Sequence, residues 1–399
     1  MGLGRRSPIS CHPSSPVLIM PSVAAPIHIL RNHSAQISAL SFSDDNERLY
    51  SADTAGRVTI LSTRSLRPIA SWPAHTDSVL TVRELRHTVI THGRDNKLRV
   101  WQLPTADAAV GDSATNPALP IPVEISAHDV NALNFCAFSL LRAQDDSTKD
   151  LIALPNLVDS NNADIWDLNT FERLHGAIGK PDGATATDYS ENNPRGETGI
   201  LMSLHLFRDP QSLNLLAGYE SGNVILWRNT TQGSFTAHGR GWVVHLKWKL
   251  HVESVMGMAV SSDNSFALTI SADPLIGFYP LGTDGPEART FAIKQAGNAA
   301  IAIRPDDRVC AVGGWDGKIR LYSTKSFKPL GTLAYHREGC FGLAFARRLQ
   351  SGAGIDESEE DLTLDELVGR AHWLAAGSKD TRVSVWALRE IGEMTSAHN

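Results

Sequence analysis

Short apolar runs separated by tight polar punctuation fill most of this chain, and two kinds of run recur. In ASWPAHTDSVLTV (70–82), LKWKLHVESVMGM (246–258) and GTLAYHREGCFGL (331–343), a strand-like run leads to a His, three mostly polar residues and a second apolar run. Each predicts two strands joined by a His-containing loop. A second block follows: SADTAGRVTIL (51–61), HGRDNKLRVW (92–101), GYESGNVILW (218–227), SADPLIGFYP (271–280), GGWDGKIRLY (313–322) and GSKDTRVSVW (377–386). Here a small-residue strand end turns through Asp or Gly into an alternating strand closed by Trp, Tyr or Leu. VDSNNADIWDL (158–168) is a degenerate further copy, with Ser160 six residues before Trp166 as Asp95 is six before Trp101.

The spacing makes the two blocks one module. His75 to Asp95 is 20 residues, His251 to Asp273 is 22, and His33 to Ala55, the Asp-equivalent position, is 22. A unit of about four short strands in roughly 40–45 residues matches a propeller blade and no helical repeat. The expected fold is therefore all-β, a seven-bladed WD-repeat propeller over residues 26–390. Such a ring needs a closure device. Pro26-Ile27-His28-Ile29-Leu30 reads as an outer strand placed before the first module, and the last module stops after Trp386-Ala387-Leu388 without one. Residues 26–31 are thus expected to complete the blade begun by 341–388.

Segments that break the rhythm are read as loops. Residues 104–122 are an excursion between two strands of the second blade, and 176–199 join the third blade to the fourth. SGAGIDESEEDLTLDELVGR (351–370), with seven acidic residues and one basic, pushes His336 and Asp380 to 44 residues apart and is an insertion inside the last blade. Residues 1–25 are expected to be a disordered extension and 391–399 a tail, with Met20 an alternative start.

Composition narrows the function classes. The 31 Gly and 20 Pro fit a turn-rich fold, and a formal net charge of −6 gives no positive field to gather phosphate backbones. Direct nucleic-acid binding is not expected. The apolar run Val17–Met20 is too short for a signal-peptide core, and nothing later approaches a membrane span. Four cysteines without C-x-x-C spacing, Cys11, Cys136, Cys310 and Cys340, suit free thiols in a reducing compartment, cytosolic or nuclear.

Recurring His, Ser or Thr, and Asp invite a hydrolase reading. In the second blade, His75, Thr91, Asp95 and Trp101 are expected to form one hydrogen-bonded set, carboxylate to imidazole to hydroxyl to indole N–H. A catalytic triad appears once, beside an oxyanion hole, whereas this set returns in partial form as His251 with Asp273 and as His336 with Asp380 and Trp386. The reading is structural. The 15 histidines lack zincin spacing or partnering cysteines, and no glycine loop sits in a strand-to-helix context, so neither metal nor nucleotide cofactor is expected.

Two features are candidates for partner contact. Leu362, Leu364 and Leu367 give the acidic insert a short amphipathic element, with carboxylates to steer a basic partner; the alternative is a solvated linker. Trp72 and Trp248 hold matching positions before the structural His and are expected to pack inside, while Trp242 has no counterpart and is the expected surface anchor.

The blocks PIHILRNH, SADTAGRV, WPAHTDSVL, THGRDNKLRVWQL, LLAGYESGNVILW, GGWDGKIRLYS and LAAGSKDTRVSVWAL together resemble the fungal ASTRA-associated protein 1 family, and more distantly the guanine nucleotide-binding protein β-subunit-like protein 1 of animals, over about residues 24–390. Departures from the general WD pattern are Ala55, Ser160 and Ser221 at Asp positions and Tyr279 and Tyr322 at Trp positions. The resemblance implies a nuclear, non-enzymatic scaffold subunit of the ASTRA complex. Its partners would be Tel–Tti co-chaperone proteins, with links to chromatin regulation and to maturation of phosphatidylinositol-3-kinase-related kinases, and it would form no homo-oligomer. The competing expectation is a WD-repeat adaptor that reads peptides or histone tails in another nuclear complex.

Overall fold

The computed structural model describes residues 25–104, 119–143, 149–180, 197–231, 235–282, 287–348 and 368–388. The expectations for the 1–24 extension, for most of the 104–122 loop, for Leu362, Leu364 and Leu367, and for the 391–399 tail lie outside these residues.

Seven four-stranded antiparallel sheets form the blades of a β-propeller. Six are continuous in sequence, spanning 37–73, 79–129, 139–178, 201–249, 255–292 and 298–334. The seventh combines Cys340–Phe345, Trp373–Ser378 and Val383–Ala387 with the N-terminal strand His28–Leu30. That strand pairs His28 with Val385 and Leu30 with Val383, and the Ile27 amide adds a hydrogen bond of 2.8 Å to the Val385 carbonyl. The two ends of the chain therefore close the ring in one sheet, as expected. Among the described residues the one helical turn is Val368–Arg370.

The core is divided among the junctions between blades. Each apolar cluster joins two neighbours: Tyr50, Trp72 and Val58 of the first blade with Val79, Val89 and Trp101 of the second, and Leu268, Ile270 and Phe278 of the fifth with Cys310, Val312 and Tyr322 of the sixth. Sandwiching buries a blade on both faces, so its middle strands are buried nearly throughout, with the few polar side chains on them hydrogen-bonded or packed inside. Leu213–Tyr219 is buried at every position. The outermost strands lose one neighbour, and Val123–Asp129 is largely exposed.

Connectivity sets two distinct ends of the ring. In every blade the loop arriving from the previous blade and the turn between the second and third strands share one end, the entry face. The turns between first and second and between third and fourth strands lie at the other. In the entry-face turn of the first blade only glycine fits at position 56: Gly56 adopts φ +85°, and a Cβ there would stand 1.9 Å from the His75 carbonyl oxygen.

Two loop boundaries move. The strand Arg173–Ile178 continues into the segment expected to be loop from 176, because Gly176 N–H donates to the Thr236 carbonyl at 2.9 Å and keeps the backbone paired. At the end of the acidic insert, Arg370 is buried and donates from Nη1 to Thr63 Oγ1 at 3.3 Å, so that residue belongs to the body of the ring.

Candidate interaction surface

The entry face is built around the junction histidines. His75 ends the loop into the second blade, where its Nδ1 lies 2.8 Å from Asp95 Oδ1 and its Nε2 lies 2.8 Å from Thr91 Oγ1. Trp101 Nε1 donates to the same hydroxyl at 2.9 Å. One proton arrangement satisfies every group: Nδ1–H to carboxylate, Thr91 hydroxyl to Nε2, indole N–H to the Thr91 oxygen. The imidazole is then neutral, in keeping with burial lowering the His75 pKa against the pull of Asp95. Burial alone would raise Asp95, but the hydrogen bonds from the His75 N–H and the Thr76 amide, with the charge of Arg99, hold its carboxyl below the ordinary range.

The same arrangement stands in three other blades. In the seventh, His336 meets Asp380 at 3.0 Å and Ser384 at 2.8 Å, and Trp386 donates to Ser384 at 2.8 Å. In the fifth, His251 meets Asp273 at 2.9 Å and Thr269 at 2.8 Å, with Tyr279 Oη 3.2 Å from Thr269 Oγ1. In the first, His33 meets Asp53 at 2.7 Å and Ser51 at 2.8 Å. A set repeated in this way braces loop against turn. It does not mark one reacting centre.

The first blade corrects the expected Asp position. Ala55 carries no carboxylate because Asp53 supplies it from two residues earlier. Asp53 is opposite Ile37 as Gly93 is opposite Val79, so it holds the Gly93 place in the blade. A Cβ on Gly93 would stand 2.2 Å from His75 Nδ1 and 2.7 Å from Asp95 Oδ1. In the first blade that space is filled by the carboxylate on its own Cβ. The hydroxyl moves as well: Thr91 lies opposite Arg99, while in the seventh blade Ala376 lies opposite Ser384, and the hydroxyl has crossed one rung.

The other blades are braced differently. In the third, Asn131 stands in for the His and donates from Nδ2 to the Asn156 carbonyl at 2.7 Å and to Ser160 Oγ at 3.2 Å. Asn156 in turn donates to Asp164 at 2.8 Å, and its Oδ1 accepts from the amides of Val158 and Asp159. This buried amide network fixes the backbone and leaves the apolar side chains between its members facing outward. Leu133, Phe135 (58% exposed), Leu157 and Val158 (85% exposed) all lie on the entry face of this blade, and the Arg94 guanidinium sits 3.9 Å over the Phe135 ring. Trp315 is half exposed on the same face of the sixth blade. Sequence reasoning missed this patch. Its signal was apolar residues inside turns, in NALNF (131–135) and at Leu157-Val158.

Trp242, the expected surface anchor, is buried. It is 6% exposed, packs edge-on to His175 at 5.4 Å and belongs to the cluster between the third and fourth blades. Its position opens an outermost strand that folds back over that junction, so the ring has somewhere to go other than solvent. Trp72 is fully buried edge-on to Trp101 at 5.7 Å, and Trp248 packs on Tyr279 at 5.4 Å.

No group of three or more His, Cys, Asp or Glu side chains is placed to hold a metal among the described residues. Cys310 and Cys340 are buried thiols pushed up to about 12, and Cys136 is pushed up further by the same desolvation. None of the three is a thiolate near neutral pH.

The geometry establishes a WD-type ring, and similarity decides among such rings. A model of the ASTRA-associated protein 1 family matches residues 26–338. The chain is 34% identical to ASTRA-associated protein 1 of Verticillium alfalfae, an alignment covering 94% of this chain and 96% of the relative. The chain belongs to the ASTRA-associated protein 1 family. The family relative in Schizosaccharomyces pombe is 28% identical, over 92% of this chain and 99% of its own length. The mouse guanine nucleotide-binding protein subunit beta-like protein 1 is 26% identical over 93% of this chain. For this member of the ASTRA-associated protein 1 family, the alignment with the Verticillium relative extends past residue 338 into the seventh blade.

Proposed function

We propose that this protein is a non-enzymatic scaffold subunit of the ASTRA complex in the nucleus, holding Tel–Tti co-chaperone proteins together during maturation of phosphatidylinositol-3-kinase-related kinases, with a link to chromatin regulation. The observation that carries the reading is membership of the ASTRA-associated protein 1 family across nearly the whole chain. Two features of the ring support it. The His, hydroxyl and Asp sets are spread over four blades as braces, leaving no single reactive constellation among the described residues. The entry face carries an exposed apolar cluster beside a stacked arginine, the type of surface that proteins use to meet partners. A rigid ring with loops from many blades at one end holds partners without chemistry.

Affinity purification of the tagged chain from its native cells at moderate salt, followed by mass spectrometry, tests this. The reading expects Tel–Tti proteins and a giant kinase-like subunit. Recovery of ubiquitin-ligase or histone-modifying subunits in their place would favour an adaptor role and overturn it.

A further inference from the structure

Every blade but the third opens its innermost strand with a side chain buried at the junction with the blade before it. These heads are Ile37, Val79, Leu201, Val255, Asn298 and Cys340, each 0% exposed. Four of them stand four residues after a junction histidine, His33, His75, His251 or His336. Phe135 stands four residues after Asn131, which takes the histidine place in the third blade. It is therefore the head of that blade, yet it is exposed and holds φ +56°, a left-handed conformation that a bulky side chain rarely adopts.

The reason lies in the second blade. A head needs room beside the second strand of the preceding blade, one rung in from its entry-face end. That place is Ala52 in the first blade and Gly218, Gly313 and Gly377 in the fourth, sixth and seventh. The fit is close. A Cβ on Gly377 would stand 2.3 Å from Ile37 Cγ2, one on Gly218 2.9 Å from Val255 Cγ1, and one on Gly313 3.1 Å from Cys340 Cβ. Pro155 and Ile270 hold the place in the third and fifth blades, with Leu201 and Asn298 as the heads that follow. In the second blade it is His92, opposite Thr81. His92 is fully buried, and its ring lies 6.4 Å from the Phe138 ring of the third blade, across the junction. Its imidazole reaches further from the backbone than any of the other side chains in that place, and a close-packed junction then has no pocket for Phe135. The Phe135 ring turns out onto the entry face.

There it meets a cation. Arg94, two residues after His92, lays its guanidinium 3.9 Å over the Phe135 ring. Its buried Nε has no hydrogen-bond partner, and no carboxylate of the described residues pairs with it. The residue as a whole is half-buried, so a partner can reach it. Leu133, Leu157 and Val158 extend the apolar surface on the third blade. Asp159 follows Val158 in the same turn, and its carboxylate has no cationic partner among the described residues. One carboxylate at the Arg94 end suits this surface, whereas a run of them would be repelled at the other. An aromatic and an arginine side by side among aliphatic neighbours have the composition of an interface centre.

We propose that this corner of the entry face docks a short apolar segment of a partner protein carrying a single carboxylate, with an apolar side chain seated among Leu133, Phe135 and Val158 and the carboxylate on Arg94. The proposal rests on the ring being an interaction subunit and says where a partner sits. Its test uses no ASTRA component, so it and the assembly reading fail separately.

The purified full chain is titrated into a dye-labelled peptide, Gly-Ser-Glu-Leu-Phe-Leu-Ser-Gly, with anisotropy as the readout. One control peptide carries Gln in place of Glu, and a second carries Ser in place of Leu and Phe. Saturable binding of the first is expected, with weaker binding of the Gln form and none of the Ser form. Phe135→Asn, which suits the left-handed backbone, should weaken binding about tenfold or more and leave the melting midpoint unchanged, since the ring it removes is exposed. Arg94→Gln should weaken the Glu peptide about tenfold, as loss of a charged hydrogen bond does, and leave the Gln peptide unchanged. His92→Gly, which copies the seventh blade, should weaken both peptides by giving Phe135 its pocket. Val244→Ser, at an exposed apolar position on the outermost strand of the fourth blade, should change nothing. Absence of saturable binding, or unchanged affinity in Phe135→Asn, in Arg94→Gln or in a folded His92→Gly, would overturn the proposal. So would a concentration-dependent dimer, seen by light scattering, that Phe135→Asn abolishes, because the surface would then belong to a second copy of the chain. If His92→Gly fails to fold, Phe135→Asn and Arg94→Gln decide.

Discussion

His28 lies directly opposite Val385 in the sheet of the seventh blade, so residues near the two ends of the chain share one ladder. The strand that makes this contact is only three residues long, and its anchor is Leu30, 2% exposed between the seventh and first blades. Leu30→Ala should therefore destabilise the whole ring by about 2–5 kcal/mol, as truncating a buried Leu does. Ile27→Ala, at a half-exposed position, should cost less than about 0.5 kcal/mol. Urea denaturation of both checks this; equal midpoints for the two variants would mean that the N-terminal strand does not close the ring.

Asp53 and Gly93 hold the same place in neighbouring blades and are not interchangeable. Asp53→Ala leaves the buried His33 N–H without its acceptor, a loss of roughly 1–3 kcal/mol. Gly93→Ala drives a methyl into the His75 ring and should cost about 1–3 kcal/mol by overpacking. Thermal melts of the two variants decide the matter. A neutral Gly93→Ala would show that the His75 ring does not pass over that backbone.

Trp101 and Trp242 are both junction residues in the structure, so both should behave as core. Trp101→Ala removes the indole packed on Trp72 and the N–H bound to Thr91, for a loss of about 3–5 kcal/mol. Trp242→Ala should also lower the melting midpoint. If Trp242→Ala instead melted like the parent chain, its burial beside His175 would be wrong.

Acid should weaken the fold in a defined window. Burial holds His92 down to about 3 and His175 to about 4, and it lowers His75 and His336 as well. The unfolded chain takes up protons on these imidazoles near pH 6.5 while the folded chain does not. Their contribution is thus complete above 6.5 and is lost as the pH falls below it. Asp53 and Asp95 are lowered from 3.8 in the folded state, so their contribution is present above that value and lost below it. The melting midpoint should be flat between about pH 7 and 8 and fall progressively from about 6.5 downward, with a shallower fall in His92→Leu. A midpoint that rises on acidification to about pH 5 would contradict the burial of these histidines.

The fold was legible because a propeller writes its period into the sequence. His75, Asp95 and Trp101 are close in sequence and recur, and the closing strand stood out as an unpaired PIHIL before the first module. What stayed hidden depended on register. Ser384 serves His336 from the strand paired with the one that supplies Thr91, and Asp53 serves His33 from a place that Gly93 occupies elsewhere; spacing alone cannot reveal a partner that crosses a rung. Trp242 has no repeat counterpart, yet the junction between the third and fourth blades gives it a core, which repeat comparison cannot show. Leu133, Phe135, Leu157 and Val158 are held outward by amide bonds between residues distant in sequence, and the pairing of Asp44 with both Arg142 and Arg347 arises only when the ring closes.

The most direct test of the central claim is reconstitution: the purified chain is mixed with a purified Tel–Tti assembly and the mass of the product is measured by light scattering during gel filtration. The account predicts a single stable species containing one copy of the chain per assembly. Separate elution of the chain as a free monomer, with the assembly intact without it, would contradict the scaffold reading.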